Sequence, residues 1–203
     1  MFVQIIQGKT SKPEALRAAA DRWMQDLAPG ATGWLGTTEG ATEDGRYLAV
    51  VRFESEEAAR RNSGRPEQDR WWAETEKLFD GPVTFRDSND VTVDLQGDVE
   101  HAGFVQIMQG RSTDPERAKQ LMGQDPEKWA AFRPDVAGSV SVGHEHGGYT
   151  MVMYFTSEAA AREGERKEVP LELRASMDEM EKLSAGPPEF FDLKQPVMRS
   201  PGK

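Results

Sequence analysis

Phe2-Val3-Gln4-Ile5-Ile6-Gln7-Gly8 returns later in the chain as Phe104-Val105-Gln106-Ile107-Met108-Gln109-Gly110. The Pro13-Glu14 that follows returns as Pro115-Glu116 in the same register. Working outward, Tyr47 through Arg60 matches Tyr149 through Arg162, sharing Tyr, Val, Phe, Ser-Glu, two Ala and Arg. Glu76-Lys77-Leu78 and Gly81-Pro82 return as Glu181-Lys182-Leu183 and Gly186-Pro187, and Phe85 and Asp87 as Phe190 and Asp192. Blocks in the same order along the whole chain mean an internal duplication.

One copy reads as follows. Phe2 to Gln7 is a short run of apolar and β-branched residues closed by Gly8, hence a strand. Pro13-Glu14 opens a helix with Ser11 as a candidate cap. Leu16, Ala19, Ala20, Trp23 and Leu27 share one face of it, and Pro29-Gly30 stops it. Gly33 to Thr38 and Arg46 to Phe53 are strands around a turn-rich Gly40–Gly45. Ser55-Glu56-Glu57 suits the positive end of a second helix. That helix is interrupted from Asn62 to Pro66 and resumes through Trp71, Thr75 and Leu78. Val83 to Arg86 is a fourth strand.

The order β-α-β-β-α-β is the split βαβ, or ferredoxin-like, plan. It leaves one sheet face without helices, which is costly in water when that face is apolar. Two such faces packed together remove the cost. The expected class is therefore α+β, two tandem ferredoxin-like βαββαβ units forming an intramolecular pseudo-dimeric α/β barrel. The first repeat with its linking strand (Val91 to Leu95) should span 1–95, a linker 96–103, the second repeat 104–195 and a loose tail 196–203.

Bulk composition narrows the function classes. The 203 residues carry 25 Lys and Arg against 35 Asp and Glu, a net charge of −10. No basic block is present, which argues against nucleic acid and against an anionic membrane surface. With no cysteine, disulfides, thiolate catalysis and Cys-ligated metal centres are excluded. No apolar run approaches a membrane span. The first strand starts at Phe2 with no basic or cleavage-site segment before it, so a cytoplasmic location is expected by default. A monomer with an internal pseudo-dimer, or a homodimer, fits the duplication.

The paired openings and the strand-to-helix joints Phe53-Glu54-Ser55-Glu56-Glu57-Ala58 and Phe155-Thr156-Ser157-Glu158-Ala159-Ala160 resemble the dimeric α/β-barrel superfamily. The nearest branch is similar to the antibiotic-biosynthesis-monooxygenase-like proteins. That resemblance implies a group of cofactor-free oxygenases of polyketide quinones, haem-degrading enzymes, decarboxylases and proteins of unknown function. The haem-degrading members use an Asn on the first strand, and a Trp and then a His on the second helix. This chain has Gln4 and Gln106 on the first strands and no histidine on either second helix, so haem degradation is not implied.

Candidate site residues follow from strand alternation. Leu48, Val50 and Arg52 share the more polar side of one third strand, as Thr150, Val152 and Tyr154 do in the other copy. Phe2, Gln4 and Ile6 are expected on that inward side, with Val3 and Ile5 packed on the helices. The expected lumen thus collects Gln4, Gln106, Arg52 and Tyr154, with Trp34. Arg52 would hold an acidic or enolate oxygen and Tyr154 would donate a hydrogen bond, suiting a small aromatic ligand. The bland alternative is that these groups satisfy one another in a non-catalytic binding or structural module. His144-Glu145-His146 reads as a solvated turn, and no metal site or cofactor is expected. Trp71-Trp72 reads mainly as core, and neither a phosphate loop nor a nucleophile elbow occurs.

Overall fold

The computed structural model describes residues 1–95 and 97–202. Gln96, first in the expected linker, and Lys203, last in the expected tail, lie outside the described residues. The first repeat runs β1 (Phe2–Lys9), α1 (Pro13–Asp26), β2 (Trp34–Ala41), β3 (Arg46–Phe53), α2 (Glu56–Ser63), α3 (Pro66–Thr75) and β4 (Thr84–Ser88). A short β5 (Val91–Asp94) follows. The second repeat runs β6 (Phe104–Arg111), α4 (Pro115–Met122), α5 (Pro126–Phe132), β7 (Val136–Gly143), β8 (Gly148–Phe155), α6 (Glu158–Glu165), α7 (Leu171–Lys182) and β9 (Glu189–Leu193), and β10 (Val197–Arg199) comes last.

These strands form two five-stranded sheets of order β10-β2-β3-β1-β4 and β5-β7-β8-β6-β9. The α+β class and the tandem ferredoxin-like units stand. Both sheets are open, however, with edge strands at each end, so the strands are not hydrogen-bonded into a closed barrel. The chain divides into two compact units, Met1–Val91 with the stretch from Leu193 onward, and Thr92–Asp192.

Two expected boundaries are corrected. β5 follows the first repeat in sequence but belongs to the sheet of unit 2, beside β7. The tail is not loose, because Val197, Met198 and Arg199 pair with Glu39, Thr38 and Thr37 on β2 of unit 1. Side-chain chemistry that only the fold assembles explains this. Arg199 donates to Glu39, and to Asp21 at 2.6 Å, from a nearly buried position. β2 also bulges between Trp34 and Gly36. A Cβ on Gly36 (φ +143°) would lie 2.7 Å from the Arg199 carbonyl oxygen, so this close approach requires glycine. β7 bulges at the matching place, and a Cβ on Gly138 would lie 2.7 Å from the Asp94 carbonyl oxygen of β5.

The strand-to-helix joints act as N-caps. Ser55 Oγ accepts from the Ala58 amide at 3.2 Å and Ser157 Oγ from Ala160 at 3.1 Å. Ser11 does not cap α1. It donates to Asp80 at 3.2 Å, while the Lys12 amide donates to Thr10 Oγ1 at 2.9 Å. Gly64 caps α2 and Pro66 opens α3, which is the interruption read between Asn62 and Pro66. Under the unit 1 sheet, Phe2, Trp34 and Phe53 pack with Trp23 and Leu27 of the α1 region and with Ala58 and Ala59 of α2. Leu16, Tyr47, Ala49 and Phe79 extend that core. Phe104, Phe155 and Ala161 form the matching cluster in unit 2.

Candidate functional site

Strand register decides which residues share a face. Phe2 pairs with Phe53, Gln4 with Val51 and Ile6 with Ala49, and these rows join the helix-side core. Val3 pairs with Arg52, Ile5 with Val50 and Gln7 with Leu48 on the side without helices. The expected inward placement of Phe2, Gln4 and Ile6 is therefore reversed. This strand is apolar on both faces, so its polarity carried no sign of which face the helices cover.

The proposed set accordingly splits. Gln4 lies on the helix side and donates to Asp87 of β4 at 3.0 Å. Trp34 is core, its Nε1 donating to Thr37 Oγ1 at 3.1 Å. Gln106 pairs with Met153 in unit 2, again on the helix side, and donates to Asp192 at 3.0 Å. Asp192 also receives Arg162, which stands 5.1 Å over the Phe104 ring. Both glutamines thus tie a first strand to the last strand of its repeat.

Arg52 and Tyr154 lie on the helix-free faces of their own sheets. In unit 1 this face carries Val3, Ile5, Leu48, Val50 and Thr38, all buried, together with Gln7 and Arg52. Arg52 is half-buried and lies against Gly36, where a Cβ would come within 2.9 Å of its Nη2. Arg52 Nε is buried and has no hydrogen-bond partner among the described residues, and the same holds for Gln7 Oε1. A buried donor with no partner costs about 1–3 kcal/mol. The unit 2 face is equally buried and differs in carrying Tyr154 at the position of Arg52. Val105, Ile107, Val140, Val152 and Thr150 are fully buried, and Tyr154 is 2% exposed. His144 Nε2 lies 2.9 Å from Thr150 Oγ1, so this histidine is half-buried and tied to the sheet rather than solvated in the turn.

Sequence reading missed a buried polar group on the helix side of unit 1. Glu39, Tyr47 and Arg199 are each under a tenth exposed. Tyr47 Oη donates to Glu39 Oε2 at 2.9 Å, and Arg199 donates to the other Glu39 oxygen. Burial pushes the Glu39 carboxyl above its usual range, against the pull of Arg199 and Tyr47. Burial, and then the Glu39 charge, lifts the Tyr47 hydroxyl well above its ordinary value. Sequence offers little sign of this group, since Glu39 falls just past the expected Gly33–Thr38 strand and Arg199 in the expected tail. An open hollow of about 480 Å³ elsewhere in unit 1 is lined by Thr10, Ser11, Thr42, Asp44 and Asp80, which largely bond one another and Arg46.

No family model and no curated protein matches the chain. Solved structures do match along its length. A candidate monooxygenase from Lactobacillus acidophilus NCFM superposes with a TM-score of 0.74 at 12% identity, covering 98% of this chain and 97% of that one. A candidate monooxygenase from Fusobacterium nucleatum superposes with a TM-score of 0.74 at 10% identity, covering 99% and 94%. A protein described as anthrone oxidase-like gives 0.70 at 14%, covering 100% and 94%. The chain therefore has the tandem ferredoxin-like fold that these monooxygenase-type proteins share. At such identity the likeness is one of fold. Among the described residues no helix is long and apolar enough to cross a membrane.

Proposed function

We propose that the protein is an oxygenase of the antibiotic-biosynthesis-monooxygenase type that binds an acidic aromatic or polyketide-like compound on the helix-free face of unit 1, through Arg52. The observation that supports this most is the half-buried guanidinium beside Gly36 with an unpaired buried Nε. Around it, Val3 and Val50 give an apolar wall. A planar phenolate or enolate matches that combination, with its oxygen on the guanidinium and its rings on the valines.

Arg52 then favours the substrate's enolate over its neutral form. The enolate is electron-rich and passes electrons directly to dioxygen. For an anthrone, the full reaction is anthrone plus O₂ giving anthraquinone plus water. One oxygen atom enters the ring carbon that loses its two hydrogens, and the other leaves as water. The substrate supplies all the electrons, so the reaction draws on no flavin or metal. A second reading, a non-catalytic binding module, draws on the near-complete burial of the helix-free faces of both units.

Oxygen uptake with an anthrone tests the proposal. Wild-type protein should consume one O₂ per anthrone. Arg52→Gln should lower kcat/KM by about ten- to a hundredfold, the worth of a hydrogen bond to a charged group. Uptake no faster than the buffer rate in the wild type, or unchanged in Arg52→Gln, would remove the proposal.

A further inference from the structure

Four of the five tryptophans stand in one file inside unit 1. Ring centroids are 5.0 Å apart from Trp34 to Trp23, 6.4 Å from Trp23 to Trp71 and 6.2 Å from Trp71 to Trp72. Trp72 lies 5.1 Å from Phe85, an exposed ring on edge strand β4. The file therefore runs from two buried indoles, through two half-buried ones, to the surface.

Filling a core does not require this. In unit 2 Val136 takes the register position of Trp34, and the cluster of Phe104, Phe155 and Ala161 closes with Val136 and Met153 and without an indole. Indoles give up an electron far more readily than phenylalanine rings, and unlike a tyrosine they can do so without losing a proton; the file keeps them in sequence at aromatic contact distances. Three of them donate to uncharged acceptors. Trp34 Nε1 donates to Thr37 Oγ1 at 3.1 Å, Trp23 to Gln68 Oε1 at 2.6 Å and Trp71 to the Ala19 carbonyl at 3.0 Å. A neutral acceptor steadies an indole radical cation without taking its proton, so charge moves as an electron alone. The inner end, Trp34, flanks the bulge whose Gly36 lies against Arg52.

We propose that this file is a one-electron relay that carries an oxidising equivalent from the Arg52 end of the sheet to the surface at Trp72. An organic peroxyl radical takes one electron from Trp34 and one proton from solvent, becoming a hydroperoxide and leaving Trp34 a radical cation. Electrons then step from Trp23 to Trp34, from Trp71 to Trp23 and from Trp72 to Trp71. A soluble reductant such as ascorbate restores Trp72, releasing one proton and leaving as its own radical anion. In sum, peroxyl radical plus ascorbate gives hydroperoxide plus ascorbyl radical. The relay goes beyond the oxygenase reading, and its test uses no substrate, so each can fail separately.

The test oxidises the whole protein with photogenerated tris(bipyridine)ruthenium(III) in air and maps oxygenated tryptophans by peptide mass spectrometry. This oxidant is too large to enter the core, so it reaches the half-buried Trp71 and Trp72 first. Wild-type protein should nevertheless carry oxygenated Trp23 and Trp34. Trp71→Phe should cut those two products about tenfold while Trp72 and Trp129 react as before, a break of the kind a missing step gives. Trp71→Tyr, a ring of similar size that oxidises readily, should restore them, which a purely structural role would not do. Unoxidised Trp23 and Trp34 in the wild type overturn the relay whether or not the variants fold. Equal yields in Trp71→Phe and Trp71→Tyr overturn it too.

Discussion

Units 1 and 2 share strand order, serine caps and a glycine bulge in the second strand of each repeat, yet they fill and charge that frame differently. Beneath their sheets both units pack two phenylalanines and an alanine, but unit 1 adds indoles and buries Glu39, Tyr47 and Arg199, and Val136 stands where unit 1 has Trp34. On the helix-free face, unit 1 carries Arg52 where unit 2 carries Tyr154. The common features are those that fix the backbone. Apart from the Glu39–Arg199 pair that holds β10, the differences fall on side chains that the shared frame does not need, which is where a duplicated unit can acquire chemistry while its twin keeps the frame.

The largest effect should come from the charge that holds β10. Arg199→Ala leaves Glu39 buried without its cation, a change that costs about 3–5 kcal/mol. Thermal or denaturant unfolding measures the loss. Glu39→Gln added to that variant should recover part of it, whereas simple loss of packing would not be relieved.

The two bulge glycines come next. Gly36→Ala meets the Arg199 carbonyl oxygen and is also strained at φ +143°, and Gly138→Ala meets the Asp94 carbonyl oxygen. Each should cost about 1–3 kcal/mol as an overpacked site. Amide hydrogen exchange should show opening confined to β10 and β2 for the first and to β5 and β7 for the second. Opening of both sheets in either variant would contradict separate docking of these edge strands.

Smaller effects separate the units by pH. Tyr47 holds its proton more tightly in the folded protein than in the unfolded chain. Its contribution is therefore complete below about pH 10 and lost as pH rises through the folded value. In unit 2, burial works against the Asp135 charge, but hydrogen bonds from Arg133 prevail and hold that carboxyl below its usual range. Its contribution is present above the ordinary carboxylate range and lost as pH falls through the folded value. Tyr47→Phe should flatten the alkaline limb of a stability–pH profile and Asp135→Asn the acid limb. The opposite pattern would show the signs to be wrong.

Much of this frame was legible in the chain. The duplication, the element order and the Ser-Glu helix starts rest on local chemistry and on comparing one half with the other. Face assignment along β1 was not legible. Phe2 and Ile6 look no more like core than Val3 and Ile5, and the polarity of Gln4 came from its bond to Asp87 at the sheet edge. The tail was misread because Val197 to Arg199 is too short to announce a strand. Its pairing is set by Glu39, Asp21 and Gly36, residues that only the fold brings near. Alternation along β3 is enough to put Arg52 on the face of Leu48 and Val50, while Tyr47 reads as an ordinary strand residue and Glu39 falls just beyond the expected second strand.

Arg52 is the proposed anchor for an anionic aromatic oxygen. Calorimetric titration of the intact protein with a hydroxyanthraquinone, the stable product-like ring system, measures this directly. Wild type and Tyr154→Phe should bind with similar strength, and Arg52→Gln should bind about ten- to a hundredfold more weakly. Equal affinity in wild type and Arg52→Gln would contradict it.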